Sequence, residues 1–309
     1  MIEKKQPRYF DLQVNGYAGV DFNSKKLTPE QLHFACEKLV DDNVEGIFAT
    51  IITDDFNDMN FKIRNLASII EKSKFIKSII QGIHIEGPFL NPEKGYRGAH
   101  PEQHIVPGNL DKVKEMTECG GGMIKLFTLA PEVDAGFELT KYLTKNNIVV
   151  SAGHTNASLD QLFGCIDNGL KMFTHLGNGS PSILPRHDNI INRVFSLADK
   201  LFICFIADGI HLPEFVLKNY LKFADINRSI IVTDAMAAAS APPGVYSVSH
   251  IKVRVGEDKI VKEIGKENLA GSAITMIESE KFLAEKIGFN QSDLDKLLFS
   301  NAKKIFELR

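Results

Sequence analysis

Hydrophobic positions gather in eight short runs: Tyr9–Val14, Gly46–Thr53, Ile79–Ile85, Met123–Leu129, Ile148–Ala152, Lys171–Thr174, Leu201–Ala207 and Ser229–Thr233. Most are continuously apolar rather than alternating, as expected of parallel strands covered on both faces. Between them, apolar residues recur at helical spacing. Thr28–Asp42 opens with Thr, Pro and Glu, a helix-start signature. Asn57–Ser78, Glu132–Asn146 and Ser158–Gly169 carry the same spacing, and Pro213–Ala224 places Pro at a first turn. Strand and helix alternating eight times predict an α/β fold, a (β/α)8 TIM barrel.

Two segments break this rhythm. Leu90–Gly108 is a long loop rich in Gly, Pro and His after the third strand, and long loops in compact domains are often active-site elements. Pro242–Leu269 holds two alternating runs, His250–Val255 and Lys259–Ile264, joined by Gly-Glu-Asp, which predicts a β-hairpin inserted after the eighth strand. The tail Ser279–Leu308 reads as helical and closes the barrel. The expected organisation is one barrel domain over residues 1–309 with an inserted hairpin at 242–269.

A chain of 309 residues suits one barrel with additions. At 44% hydrophobic and 24% charged residues it has the composition of an ordinary globular protein. A net charge of -3 with no Lys/Arg tract provides no field for nucleic acid, though it leaves room for a local cationic pocket. No apolar run approaches the roughly 18 residues of a membrane span. Cys36, Cys119, Cys165 and Cys204 are widely spaced without a CxxC pair, which reads as reduced thiols. The start MIEKKQPRYF lacks the apolar stretch of a secretory signal, so a cytoplasmic location is expected.

Four residues just past strand-like runs have the chemistry to bind a metal or move a proton: Glu86, His154, His175 and Asp234. Each has a plain structural alternative. Glu86 precedes a Gly-Pro turn, where a solvated loop residue is common. His154 and His175 suit either a helix cap or a ligand, and Asp234 suits either an N-cap or a base. Together, at the carboxyl-end face of a barrel, they describe an open metal site with a general base. His84 shares strand parity with Glu86 and reads as a core or supporting histidine. His211 is a candidate substrate donor, His100 a candidate to polarise a carbonyl, and Arg186 a candidate clamp for phosphate or carboxylate. Taken singly, these three suit a surface role as well. Many metal-dependent barrel hydrolases carry His-x-His in strand one. Here the place reads Gln13-Val14-Asn15, weak ligands for zinc, so a single metal is expected.

The segments DLQVNGYAGVDF, GIHIEGPFLNPEKGYRGAHP, SAGHTNASLDQ, THLGNGSPSILPR, ADGIHLP, VTDAMA and LAGSAITM, in this order from Asp11 onward, resemble the N-acetylglucosamine-6-phosphate deacetylases of the amidohydrolase superfamily, single-metal branch. The resemblance implies one divalent cation held by Glu86, His154 and His175, with zinc expected first and iron, cobalt or manganese also suited. It implies that Asp234 is the catalytic base and acid, and that His100 and Ala99 meet the N-acetyl group. Asn178 and Gly179 would lie along the sugar phosphate, Arg186 would bind the phosphate and His211 the sugar, with Leu269, Ala270 and Gly271 lining the site. A homodimer is implied as well. Such enzymes usually carry a small β-sandwich domain built from both chain ends, which is largely missing here, with the 242–269 hairpin as its remnant.

The expected reaction is hydrolysis of the acetamide of N-acetyl-D-glucosamine 6-phosphate to D-glucosamine 6-phosphate and acetate. The alternatives are the same chemistry on another N-acyl sugar or cyclic amide, or a metabolite-binding protein on an inactive barrel.

Overall fold

Eight parallel strands pair in chain order: β1 (Tyr9–Val14), β2 (Val44–Ile52), β3 (Ile80–Glu86), β4 (Ile124–Leu129), β5 (Val149–Ala152), β6 (Leu170–Phe173), β7 (Phe202–Ile206) and β8 (Ser229–Val232). The computed structural model describes residues 8–266 and 269–307. The MIEKKQP start, Glu267 and Asn268 of the expected insertion, and Leu308 of the expected tail lie outside the described residues. No helix among the described residues is long and apolar enough to cross a membrane.

The barrel closes between β8 and β1 with little regular pairing. Val14 and Ala235 form a parallel bridge, and Asn15 N donates to Ala235 O at 2.7 Å. Below it, the Asp11 carboxylate accepts from Thr233 N at 3.2 Å and from Thr233 Oγ1 at 2.5 Å. A side chain thus satisfies donors that a ladder would otherwise take up.

The continuous apolar runs have a direct cause. Alternate residues of each strand belong to two different buried layers. Phe10, Leu12, Phe48, Leu126, Met172, Cys204, Ile206, Ile230 and Val232 fill the barrel interior. Ile83, Ile85, Phe127, Leu129, Ile203, Phe205 and Ile231 pack outward against the helices. Both strand faces leave water, so both are mostly apolar, and the polar residues they keep are buried toward the carboxyl-end site. Phe299 and Ala302 enter the inner layer from the final helical stretch, so this tail does pack against the barrel.

The helix starts follow local capping chemistry. Thr28 and Gln31 form a capping box at the start of α1 (Pro29–Asp41), and Ser158 and Gln161 do the same for the helix Leu159–Asp167. Several boundaries differ from the sequence pattern. The expected helix Asn57–Ser78 breaks into Phe56–Lys72 and Lys74–Ile79, because Ser73 adopts an extended backbone and its hydroxyl caps Ile76 N. The segment Glu132–Asn146 becomes regular only over Glu138–Lys145, after buried Asp134 accepts from Leu139 N and Thr140 N, each at 2.9 Å. Two helices the pattern leaves out, Leu110–Cys119 and Ile190–Phe195, follow β3 and β6. The first buries only Val113 and Met116, too thin a stripe to stand out. The tail runs as short helices joined by wide π-type turns at Leu283–Ile287 and Lys296–Ser300.

After β8 comes a three-stranded antiparallel sheet: β9 (Gly244–Val248), β10 (Ile251–Val255) and β11 (Val261–Glu263). It has one strand more than the hairpin pattern marks, because β9 is mostly half-buried and does not alternate clearly. In β10, Ile251, Val253 and Val255 face inward while Lys252 and Arg254 face solvent. The inward face packs on Met236, Ala237, Ala238, Ala270 and Ala273, beside Ile52 and Ala99. The small sheet therefore sits at the carboxyl ends of the barrel strands.

Candidate metal centre at the barrel mouth

Glu86 closes β3, level with Ile52 of β2 and Thr128 of β4. His154, His175 and Asp234 each sit two positions past the last residue of β5, β6 and β8. All three adopt left-handed backbone, with φ of 51°, 29° and 51°. Non-glycine residues hold that conformation only where the surroundings impose it, commonly at functional sites.

These backbones aim the side chains at one another. His175 Nε2 lies 2.9 Å, and His154 Nε2 3.3 Å, from Glu86 Oε1. One ligand atom from each of the three residues falls within 4.8 Å of the other two, and all three residues are buried. The His154 and His175 rings meet edge to face at 5.0 Å between centroids. Burial works against charge on Glu86, yet the two imidazoles hold its carboxyl well below the usual carboxylate range. His154 Nδ1 lies 2.8 Å from the Tyr96 carbonyl, so it carries the proton and leaves Nε2 with a free lone pair. The buried Nδ1 of His175 has no hydrogen-bond partner. A charged carboxylate oxygen, two imidazoles and an oriented lone pair fit a borderline divalent cation.

Asp234 stands beside this trio. Its Oδ1 accepts from Asn15 Nδ2 at 2.7 Å and from Gln13 Nε2 at 3.1 Å. Gln13 Nε2 also lies 3.1 Å from Glu86 Oε1. Gln13 thus links the two carboxylates, while Asn15 holds Asp234 alone. Burial first, and then the Glu86 charge, raise the Asp234 pKa above its ordinary value. His100 adds its ring to the cluster, 4.4 Å from the His154 centroid, with Nε2 3.9 Å from Glu86 Oε2. Its Nδ1 lies 2.8 Å from Thr53 Oγ1. Burial above all pushes the His100 pKa down to about 3, so its ring is neutral near pH 7.

Beneath the trio runs a buried polar layer. His84 Nε2 lies 2.8 Å from Thr128 Oγ1, which lies 2.8 Å from Thr174 Oγ1, which lies 2.7 Å from Ser151 Oγ. His84 Nδ1 meets Thr50 Oγ1 at 3.3 Å. His84 is thus a supporting histidine, and burial pushes its pKa down to about 4. Sequence reasoning did not mark Thr50, Thr53, Thr128, Ser151 or Thr174, since a lone hydroxyl residue in a strand carries no distinguishing pattern.

The remaining expected site residues spread around the mouth. Asn178 donates from Nδ2 to His175 O at 3.3 Å. Gly179 has φ 61°, and a Cβ there would lie 2.7 Å from His154 Nδ1, so only glycine lets the chain pass over that ring. His211 Nδ1 lies 2.6 Å from Asp208 Oδ2, and this imidazole helps hold the Asp208 carboxyl below its ordinary pKa against the opposing effect of burial. Leu269 and Ala270 pair with β11, with Ala270 N donating to Val261 O at 3.2 Å, and Gly271 leads to Ser272, whose N donates to Asp234 O at 2.9 Å. Ala99 is half-buried next to His100 and packs against the small-sheet core. Arg186 is not part of the buried cluster. It lies exposed on the loop after β6, and no acidic side chain among the described residues pairs with it.

A (β/α)8 barrel that gathers a carboxylate, two imidazoles and a further aspartate at the carboxyl ends of its strands defines a metal-dependent hydrolase of the amidohydrolase type. The chain is 30% identical over 287 residues to the N-acetylglucosamine-6-phosphate deacetylase of Haemophilus influenzae, covering 90% of this chain and 71% of that protein. It belongs to the N-acetylglucosamine-6-phosphate deacetylase family. The deacetylase of Bacillus subtilis is 29% identical over 301 residues, 96% of this chain and 74% of that one. The crystal structure of the Thermotoga maritima deacetylase superposes with a TM-score of 0.85 at 26% identity, covering 98% of this chain and 78% of that chain. No protein-family model matches the chain.

Proposed function

We propose that this protein hydrolyses the acetamide of N-acetyl-D-glucosamine 6-phosphate to D-glucosamine 6-phosphate and acetate. The observation that carries the reading is the convergence of Glu86, His154 and His175 on one point with Asp234 in the same hydrogen-bonded network. Family membership supplies the substrate class.

Glu86, His154 and His175 would hold one divalent cation, zinc by first choice, with iron, cobalt or manganese also compatible with the donor set. When bound, such a cation supplies Lewis acidity, lowering the pKa of a water from 15.7 to about 7 and polarising an amide carbonyl. Asp234, anchored by Asn15 and Gln13, takes a proton from the attacking water. The water oxygen bonds to the carbonyl carbon, the C–N bond breaks, and Asp234 returns the proton to the departing amine. Its raised pKa suits both halves of that exchange. Neutral His100, its ring held through Nδ1 by Thr53 Oγ1 at 2.8 Å, polarises the carbonyl oxygen by hydrogen bonding as charge develops there and keeps its own proton.

Ala99 would flank the acetyl group. His211 would meet the sugar, with its tautomer set by Asp208, and Leu269, Ala270 and Gly271 would line the pocket. Asn178, Gly179 and the exposed Arg186 guanidinium would receive the phosphate. The barrel is the catalytic domain in this reading, and the β9–β11 sheet belongs to the small β-sandwich unit of such enzymes. A homodimer fits the exposed Phe215 and Phe223 beside an apolar groove between Ile190–Phe195 and Glu214–Phe223. We place the protein in the cytoplasm, where its free cysteines stay reduced. The test is acetate release from N-acetylglucosamine 6-phosphate before and after chelation and after metal is restored. Activity that chelation abolishes and metal restores is expected. No release by the metal-loaded protein rules the reading out.

A further inference from the structure

Outside the metal cluster, one carboxylate ties together three loops of the barrel mouth. Glu132 lies just past β4 and touches neither the trio nor Asp234 in any hydrogen bond among the described residues. Its Oε1 accepts from Asn91 Nδ2 at 2.8 Å, in the long loop after β3, and from Asn156 N at 2.7 Å, in the loop after β5. Its Oε2 accepts from the Thr155 hydroxyl. These partners enclose one residue. Thr155 and Asn156 directly follow His154, and Asn91 N donates to the His154 carbonyl at 3.0 Å. Arg193 grips the same segment from its other side, with Nη1 3.2 Å from Asn156 O and 3.0 Å from Ala157 O.

His154 needs such a frame. Its backbone is left-handed at φ 51°, which costs a β-carbon-bearing residue of order 1 kcal/mol or more unless its neighbours impose it. Its ring is further aligned by the Tyr96 carbonyl, which belongs to the same long loop as Asn91. A carboxylate that accepts a main-chain N–H and a hydroxyl from the two residues after His154, and a main-chain amide that holds the His154 carbonyl, restrain that strained backbone where it leaves the residue.

We propose that Glu132 is a positioning residue for metal binding: it holds the segment after β5 so that His154 Nε2 stays aimed at Glu86. The inference rests on the metal reading of Glu86, His154 and His175. It extends that reading to a residue that contacts neither metal nor substrate.

Zinc affinity, read by competition with a chromophoric chelator on the full chain, tests it alongside the melting temperature. The wild type is expected to bind one zinc. Glu132→Ala should weaken that affinity by about 10–100-fold, the usual effect of removing an outer partner of a ligating histidine. Glu132→Gln should restore most of it, since one amide oxygen can still accept from both Asn91 and Asn156. Asp134→Ala serves as the control: it removes a buried helix cap two residues away whose hydrogen bonds go to Leu139 and Thr140 rather than to Asn91, Thr155 or Asn156. It should lower the melting temperature and leave zinc affinity in place. Should Glu132→Ala not fold, Asn91→Ala must show a smaller loss in the same direction. Zinc affinity unchanged in Glu132→Ala, or weakened equally by Asp134→Ala, overturns the role of Glu132. A wild type that takes up no zinc overturns the metal reading itself.

Discussion

Asp234 has to accept a proton and later give it up, so its ionisation must be finely balanced. Burial and the nearby Glu86 charge raise its pKa, while the Asn15 amide stabilises its anion and fixes Oδ1. Removing the ionisable group while keeping the shape isolates that role. Asp234→Asn is expected to lower kcat by about 10²–10⁴-fold, the usual contribution of general acid–base catalysis. Bound metal per chain should stay the same, because the three clustered ligands are elsewhere. Near-normal turnover would contradict the assignment. Arg186 has a separable role. It is exposed and pairs with no acidic side chain among the described residues, so Arg186→Ala should raise KM for the phosphorylated sugar with little change in kcat or stability. A KM that does not move removes Arg186 from the phosphate site.

At the scale of elements, the small sheet is held to the barrel rim by a buried charged knot. Lys62, from the helix Phe56–Lys72, pairs with Asp54 past β2, and Ser249, between β9 and β10, donates to Asp54 Oδ2 at 2.7 Å. Burial alone would raise the Asp54 pKa, but the Lys62 ammonium and the Ser249 hydroxyl outweigh it and hold the pKa at about 2. A depressed folded-state carboxyl contributes stability above its ordinary value, 3.8 here, and loses it as pH falls toward the folded value. The shift corresponds to about 2 kcal/mol near neutral pH. Urea unfolding of Asp54→Asn should therefore show a deficit against wild type that narrows between about pH 6 and about pH 3. A deficit that is the same at both pH values would mean the ionisation of Asp54 is not what stabilises the knot.

On the scale of the whole molecule, the metal site joins β3, β5 and β6 to the long loop, through Glu86, His154, His175 and the Tyr96 carbonyl. A cation bound there adds its binding energy to the folded state only. At a hundredfold excess over Kd that amounts to about 2.7 kcal/mol, or roughly 4 °C in Tm for a chain of this size. Chelation should lower the calorimetric Tm by that amount, and an unchanged Tm would mean that no cation supports the fold. Much of the architecture was legible in the sequence. The strand runs Leu201–Ala207 and Ser229–Thr233 match the observed strands to within a residue at each end, because burial on both faces makes them almost wholly apolar. Glu86, His154, His175 and Asp234 stood out because metal and proton chemistry admits few residue types and the barrel confines them to strand ends. Other features depend on partners distant in the chain. The break at Ser73, the thin stripe of Leu110–Cys119 and the half-buried strand β9 leave weak periodic signals. The Gln13 bridge between two carboxylates, the Thr53 contact to His100 and the three-loop grip of Glu132 leave none. Local pattern reports which face of an element leaves water and which residue types chemistry requires. Which polar groups then meet is decided only when the barrel closes, because buried donors and acceptors must find partners among whatever the fold brings near.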